Sequence, residues 1–471
     1  MTISSILRQA AHLLAPVLAP GLLLLAAASP AEAQTWLAHP GSGLWNAAGN
    51  WSAGGPPYST TATAIFLKST ATNILVSGSE TAGTILFDPS ANAFTVAAGP
   101  TGTLTISGTG ILNNSGITQG FETEVDASGD YGRIIFANDA TAGAQTTFSN
   151  SGGSISGGYG GETEFTGTSS AGSGVFTNNS GSVSGAYAGI TGFLGSSTAG
   201  SATFMNKGSG IIGAYAGETV FTASSNAANG SFLDGGATIN GGAGGETLFL
   251  ATSAAGNGVF INGAGAVSGA SGGEVEFSNT SSAATAIITN DGAGVSGAYG
   301  GEVTLVDTAS AGSGTFINRG GSVSGANGGS INFEDNATAG NAVFTNSGAT
   351  ANGASAGEID FNEEATAGHG VFTNTAGSVD GAFSGEIDFY NGSTAGYASI
   401  TNGGGVANGG FGGFTFFWNT ATAGHGTFIN DGGTVSGATG GQTEFNNTST
   451  AANGIFINYG GTASGAFGSD T

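Results

Sequence analysis

One spacing constrains this chain more than anything else in it. Phe148, Phe176, Phe204, Phe232, Phe260, Ile288, Phe316, Phe344, Phe372, Ile400, Phe428 and Phe456 follow one another at intervals of 28 residues without a slip. A fixed period of that length marks a solenoid, in which each repeat is one coil that cannot bury its apolar face alone and is covered by its neighbours. The length of 471 residues would otherwise suggest several globular domains, but a repeat array extends its core along an axis.

Further columns share the period. A second aromatic column runs Phe165, Phe193, Phe221, Phe249, Phe277, Leu305, Phe333, Phe361, Phe389, Phe417 and Phe445. Two residues before each stands Thr163, Thr191, Thr219, Thr247, Val275, Val303, Ile331, Ile359, Ile387, Thr415 or Thr443. Side chains alternate faces along a strand, so these two columns share the inward face. A third, Ile155, Val183, Ile211, Ile239, Val267, Val295, Val323 and Val379 with Ala351, Ala407, Val435 and Ala463, reads as another inward strand. The expected fold is an all-β, right-handed parallel β-helix with 28-residue coils of about three short strands separated by Gly-rich corners. The column from Asn150 through Asn178 and Asn206 to Asn458, with Asp234 in one rung, predicts an amide ladder at a corner that satisfies turn carbonyls.

Composition limits the partners. Thirty acidic and five basic residues give a net charge of −25, which excludes phosphate-rich partners: nucleic acid needs Lys and Arg to replace its counterions. Cysteine is absent, removing disulfides, zinc-thiolate sites and thiol nucleophiles. Met1 to Ala33 reads as a signal peptide, with Arg8, an apolar Leu13 to Ala28 and an Ala31-Glu32-Ala33 cleavage site. Once it is removed, no segment approaches the ~18 apolar residues of a spanning helix. The expected location is secreted or on a bacterial cell surface.

The rest of the chain divides as residues 34–64, an aromatic N-terminal cap holding Trp36, Trp45 and Trp51; 65–143, irregular coils with a protruding acidic loop at Glu122 to Tyr131; and 144–471, regular coils ending mid-coil. The cap reading rests on the need to close a solenoid's open end; an aromatic carbohydrate platform is the alternative.

No catalytic residues are expected. The G-x-S-x-G matches at Ser271 and Ser355 lie in Gly corners, and His369 and His425 stand two coils apart, too far to share a metal ion. No metal or cofactor is expected. The candidate contact patch is Phe414, Phe416 and Trp418 with Phe411 and Tyr390, where aromatic residues replace the acidic ones on the outward stripe. A second candidate is that stripe itself, Glu218, Glu246, Glu274 and Glu302, read as a solvated acidic face, with a divalent cation between neighbouring coils as the less favoured alternative.

The Thr-Ala-Gly motif begun by Thr198, Thr338, Thr366, Thr394 and Thr422, together with Trp45-Asn46 and Asn50-Trp51-Ser52, resembles the β-strand-repeat passenger regions of Gram-negative autotransporters over essentially the whole mature chain. The resemblance implies a surface-displayed β-helix acting in adhesion or autoaggregation, with no catalytic residues to carry over. Such proteins end in a C-terminal β-barrel that this sequence lacks, so a truncated product or a released, self-associating chain is expected. The functional expectation is a non-enzymatic adhesion or aggregation protein that meets an unknown glycan or protein ligand. A self-assembling matrix or amyloid-like polymer is the alternative, and a polysaccharide-active β-helix enzyme comes third.

Overall fold

A computed structural model describes residues 33–471. The leader expected over residues 1–33 lies outside the described residues except for Ala33. The described residues form two parallel sheets, one of 16 strands and one of 15; Ala33–Thr35 and Thr63–Phe66 pair within the larger, and from Thr63–Phe66 onward successive strands alternate between the two. From Glu162 onward the coils pair in strict register: Phe165 lies opposite Phe193 in the larger sheet, and Phe176 opposite Phe204 in the smaller. Among the described residues the one helical segment is a 3-10 turn at Ala48–Asn50, and no helix is long and apolar enough to cross a membrane.

The third ladder of each coil is one residue wide. Bridges link Thr141, Ser170, Thr198, Asn226, Ala254 and so on to Thr422 and Thr450, so the Thr of the Thr-Ala-Gly motif marks this narrow side. The Ala that follows it is buried, as at Ala199, Ala339 and Ala423. The column from Ile155 through Val183 is corrected here: it lies in a turn, with Val183, Val295 and Val379 between 37% and 40% exposed. The buried member of that turn is the alanine three residues on, Ala186, Ala298 or Ala382. Its N–H donates back to the carbonyl of the Val column, 3.1 Å from Ala186 to Val183. Face alternation holds for extended backbone, and a tight turn points its residues otherwise. Gly185 completes the turn at φ 76°, a conformation that glycine adopts without strain.

Aromatic stacking fills the interior. Phe165 and Phe193 have centroids 4.8 Å apart and rings 8° from parallel, while Phe176 stands edge-on to Phe165 at 5.7 Å. Each coil thus adds one ring to each of two stacks, and the two meet edge to face, the arrangement that aromatic quadrupoles favour. Beside them the Asn ladder is buried. Asn178 Nδ2 donates to Asn206 Oδ1 at 2.7 Å and to the Glu218 carbonyl at 2.7 Å, and Thr191 Oγ1 donates to Asn178 Oδ1 at 2.9 Å. The expected amide ladder is present and satisfies corner carbonyls.

Toward the N-terminus the coils are irregular. Arg133 pairs with Glu162, 29 residues on, and the extra residue relative to the 28-residue period is taken up as a bulge near Gln145, which adopts φ 54°. The acidic segment begins inside a strand, since Glu122 pairs with Ser149. Only Val125 to Tyr131 leaves the coil, as a small hairpin whose Asp126 Oδ1 accepts from the Ser128 and Asp130 N–H groups. At the first described coils Trp36, Trp45 and Trp51 are buried and pack edge-on, 5.1 Å from Trp36 to Trp51 and 5.0 Å from Trp45 to Trp51, over Phe66. Burial leaves these rings no face to offer a sugar.

Candidate contact surface

The strand Phe414–Phe417 turns Thr415 and Phe417 inward, where both are buried, and Phe414 and Phe416 outward. Phe414 takes the register position of Glu386, and Phe416 that of Asp388. Their rings are stacked at 5.4 Å and 13°, and Phe416 meets Trp418 at 5.8 Å. Trp418 lies parallel to Tyr390 of the preceding coil at 6.4 Å and 11°, and its Nε1 donates to Asp388 Oδ1 at 2.7 Å. Four of the five expected residues therefore form one half-exposed aromatic shelf. The fifth, Phe411, stands in the corner before the strand and is exposed.

Carboxyl groups border the shelf. Glu358, Asp360 and Asp388 bring carboxylate oxygens within 4.8 Å of one another, and Glu386 belongs to the same group through Asp388. Burial, reinforced by neighbouring carboxylates, pushes Asp360 and Glu386 up to about 8. Burial likewise raises Glu358 and Asp388, the latter opposed by the Trp418 N–H. The cluster went unseen in the sequence, although its signal was there: Glu-Ile-Asp at 358–360 recurs at 386–388. With one oxygen from each, three carboxylates supply fewer ligands than the ~6–8 of a calcium shell.

The acidic stripe is less exposed than expected. Glu218 is buried, and Glu246, Glu274 and Glu302 are half-buried rather than solvated. Glu246, Glu274 and Glu302 line a groove of about 580 Å³ together with Gly-rich corners that include Gly242, Gly272 and Tyr299. Burial pushes Glu246 up to about 8, and raises Glu274 and Glu302. Repulsion within the column adds to the shift at Glu246 and Glu274.

Two of the basic residues form ion pairs between coils. Arg133 Nε donates to Glu162 Oε2 at 2.8 Å and its Nη2 to Glu164 Oε1; Arg319 Nη1 reaches Asp291 at 2.7 Å. Both pairings join adjacent coils. His369 and His425 are separated by Tyr397, stacked at 5.1 and 4.9 Å from them, so the three rings form an outer aromatic ladder.

The chain matches no family profile and no curated protein sequence. Among solved structures it is similar to the hyper-glycosylated fragment of TibA, residues 55–350, produced by TibC catalysis: 13% identity and a TM-score of 0.27, with 86% of this chain and 94% of that one covered.

Proposed function

We propose that this protein is a secreted or surface-displayed, non-enzymatic solenoid that mediates adhesion through a lateral contact surface at Phe414, Phe416, Trp418 and Tyr390. The observation that carries the reading is the stacked aromatic run on the outward side of Phe414–Phe417, at positions that acidic residues hold in the two preceding coils. The inward stacks account for the inward Phe residues, but nothing in the solenoid's construction calls for aromatics on this outward face. Flat rings bordered by carboxyl groups suit a sugar ring or an aromatic-rich protein segment. The leader read at Met1 to Ala33 supports export.

The test compares the wild-type chain with the triple variant Phe414→Ser, Phe416→Ser, Trp418→Ser, coated on beads and presented to epithelial cells and a glycan array. Ile212→Ser, at another exposed position, serves as the control. Loss of binding by the triple variant alone, with unchanged circular dichroism, supports the reading. Equal binding by all three proteins overturns it, and clumping of beads without cell or glycan binding assigns the function to self-association instead.

A further inference from the structure

The Asn ladder has one rung of different chemistry. In each regular rung the side-chain Oδ1 accepts from the Nδ2 of the rung before, and Nδ2 donates to the next Oδ1 and to a corner carbonyl. Asp234 replaces Asn in this column. Its Oδ1 plays the usual part, accepting from Asn206 Nδ2 at 2.6 Å and from Thr247 Oγ1 at 3.0 Å. Its Oδ2 therefore stands where the donor Nδ2 stands in every other rung.

The following rung has lost both of its donors. Asn262 Oδ1 would take one hydrogen bond from the preceding amide, which here is a carboxyl group. It would take another from the Thr of the neighbouring strand, which at this coil is Val275. Asp234 Oδ2 and Asn262 Oδ1 are thus two buried acceptors with no donor, both in side chains of 0% exposure. Elsewhere in the run where Val or Ile replaces Thr, the preceding Asn still serves the next Oδ1, as Asn262 Nδ2 does for Asn290 at 2.7 Å. Only at Asp234 do both losses coincide. Gly273 packs closely on this rung, since a Cβ there would lie 1.9 Å from the Asp234 carbonyl oxygen and 2.9 Å from its Cβ, and both oxygens are shut off from solvent.

An ionised carboxylate at this place would aim its charge at an amide oxygen, in a site that desolvates it completely. We propose that Asp234 is held as a neutral carboxylic acid whose O–H donates to Asn262 Oδ1, so that a single proton restores the link from this rung to the next, without the second donation a regular rung makes to its corner carbonyl, and makes this rung a pH-sensitive joint in the solenoid. The charged groups on the elements packed around it are Glu246, Glu274 and Glu276 of the larger sheet and Lys207 beside Asn206. Lys207 is turned to Asn179 Oδ1 at 2.9 Å, and Glu274 opposes ionisation of Asp234. Burial is the principal cause that raises Asp234 to about 8.

The sign follows from linkage. The folded state keeps a proton that the unfolded chain releases near ~3.9, so this group's contribution is fully present below that pH and is lost as pH rises toward about 8. Asp234→Asn restores the repeat's own donor and removes the dependence. Between the two limits the ratio of the variant's folding constant to that of the wild type should grow about tenfold per pH unit. It should be flat below pH 4 and again above pH 8.

The experiment measures urea unfolding of both chains from pH 4 to pH 9, with an infrared difference spectrum between them at pH 6. The expected result is a protonated-carboxyl carbonyl band present in the wild type and absent in Asp234→Asn, with a stability gap that opens as pH rises. A missing band, or a gap that does not change with pH, overturns the proposal. A gap that follows salt concentration instead assigns the two oxygens to a bound cation.

Discussion

Replacing Phe204 by Ala tests what holds one coil on the next. Phe204 is fully buried, stacked on Phe176 at 4.9 Å and on Phe232 at 4.7 Å, and edge-on to Phe193 at 5.7 Å. Truncating a buried Phe costs ~3–5 kcal/mol through lost transfer energy and the cavity left behind. The upper half of that range applies here, because three ring contacts go at once, each contributing ~0.5–1.5 kcal/mol. A rigid neighbour ladder also leaves little room for collapse. We expect a loss of about 4 kcal/mol for Phe204→Ala. Phe204→Leu should cost well under half as much, since Ile288 and Leu305 already fill the two columns three coils further on. Urea unfolding followed by far-ultraviolet circular dichroism gives the totals. Amide exchange places the loss, which in a nearest-neighbour array should centre on the coils that include Phe176 and Phe232. A cost below ~1 kcal/mol for the alanine variant, or protection lost evenly along the chain, would refute the stacking argument.

Three further outcomes follow from the same geometry. Asn318→Leu removes the donor to Asn346 Oδ1 and to the Glu358 carbonyl, and should cost ~2–3 kcal/mol by leaving buried acceptors unmade, read by urea unfolding at pH 6. Arg133→Gln strips Glu162 and Glu164 of their cation. Glu162, buried and already raised to about 7 beside Arg133, contributes stability that is present below its unfolded value and lost as pH rises through about 7. The variant should therefore be destabilised most at pH 8, by ~3 kcal/mol, and least at pH 5, measured as unfolding midpoints across that range. Trp45→Ala should release protection at residues 33–76 in amide exchange while coils beyond Phe204 keep theirs, since each coil leans only on its neighbours.

Much of the solenoid could be read from spacing because each inward position recurs in nearly every coil: the two Phe columns and the Asn ladder occupy the places their periods imply. The corners could not be read the same way. Val183 and its column looked like core because they are β-branched and periodic, yet turn geometry puts Ala186 inside. The acidic column was located correctly beside the inward Thr column, but its burial depends on how near the Gly-rich corner approaches the sheet, which no single-residue pattern reports. The aromatic shelf was visible as a break in the acidic stripe. Its carboxyl border was not, since Glu358, Asp360 and Asp388 converge through side-chain reach between adjacent coils. A row of left-handed residues also went unread. Asn279, Asp307 and Asp335 have φ between 55° and 59°, and carboxylates of the following coil accept their N–H groups at 2.9–3.1 Å. Acidic residues in that column therefore serve the turn as well as the surface.

If one coil is 28 residues, coils are interchangeable units of a single register. Excising residues 287–314 joins Ala286 to Thr315, which already occupies the register position of Ile287. It also removes Ile288 and Leu305, the coil at which both Phe columns are interrupted. The excised chain should fold with unchanged circular dichroism per residue, a length by small-angle scattering shorter by ~4.8 Å, and stability at least equal to that of the parent. Excision of 288–314, one residue fewer, should unfold or aggregate because it turns inward side chains outward. Equal tolerance of both deletions, or loss of structure on removing the full coil, would contradict the account.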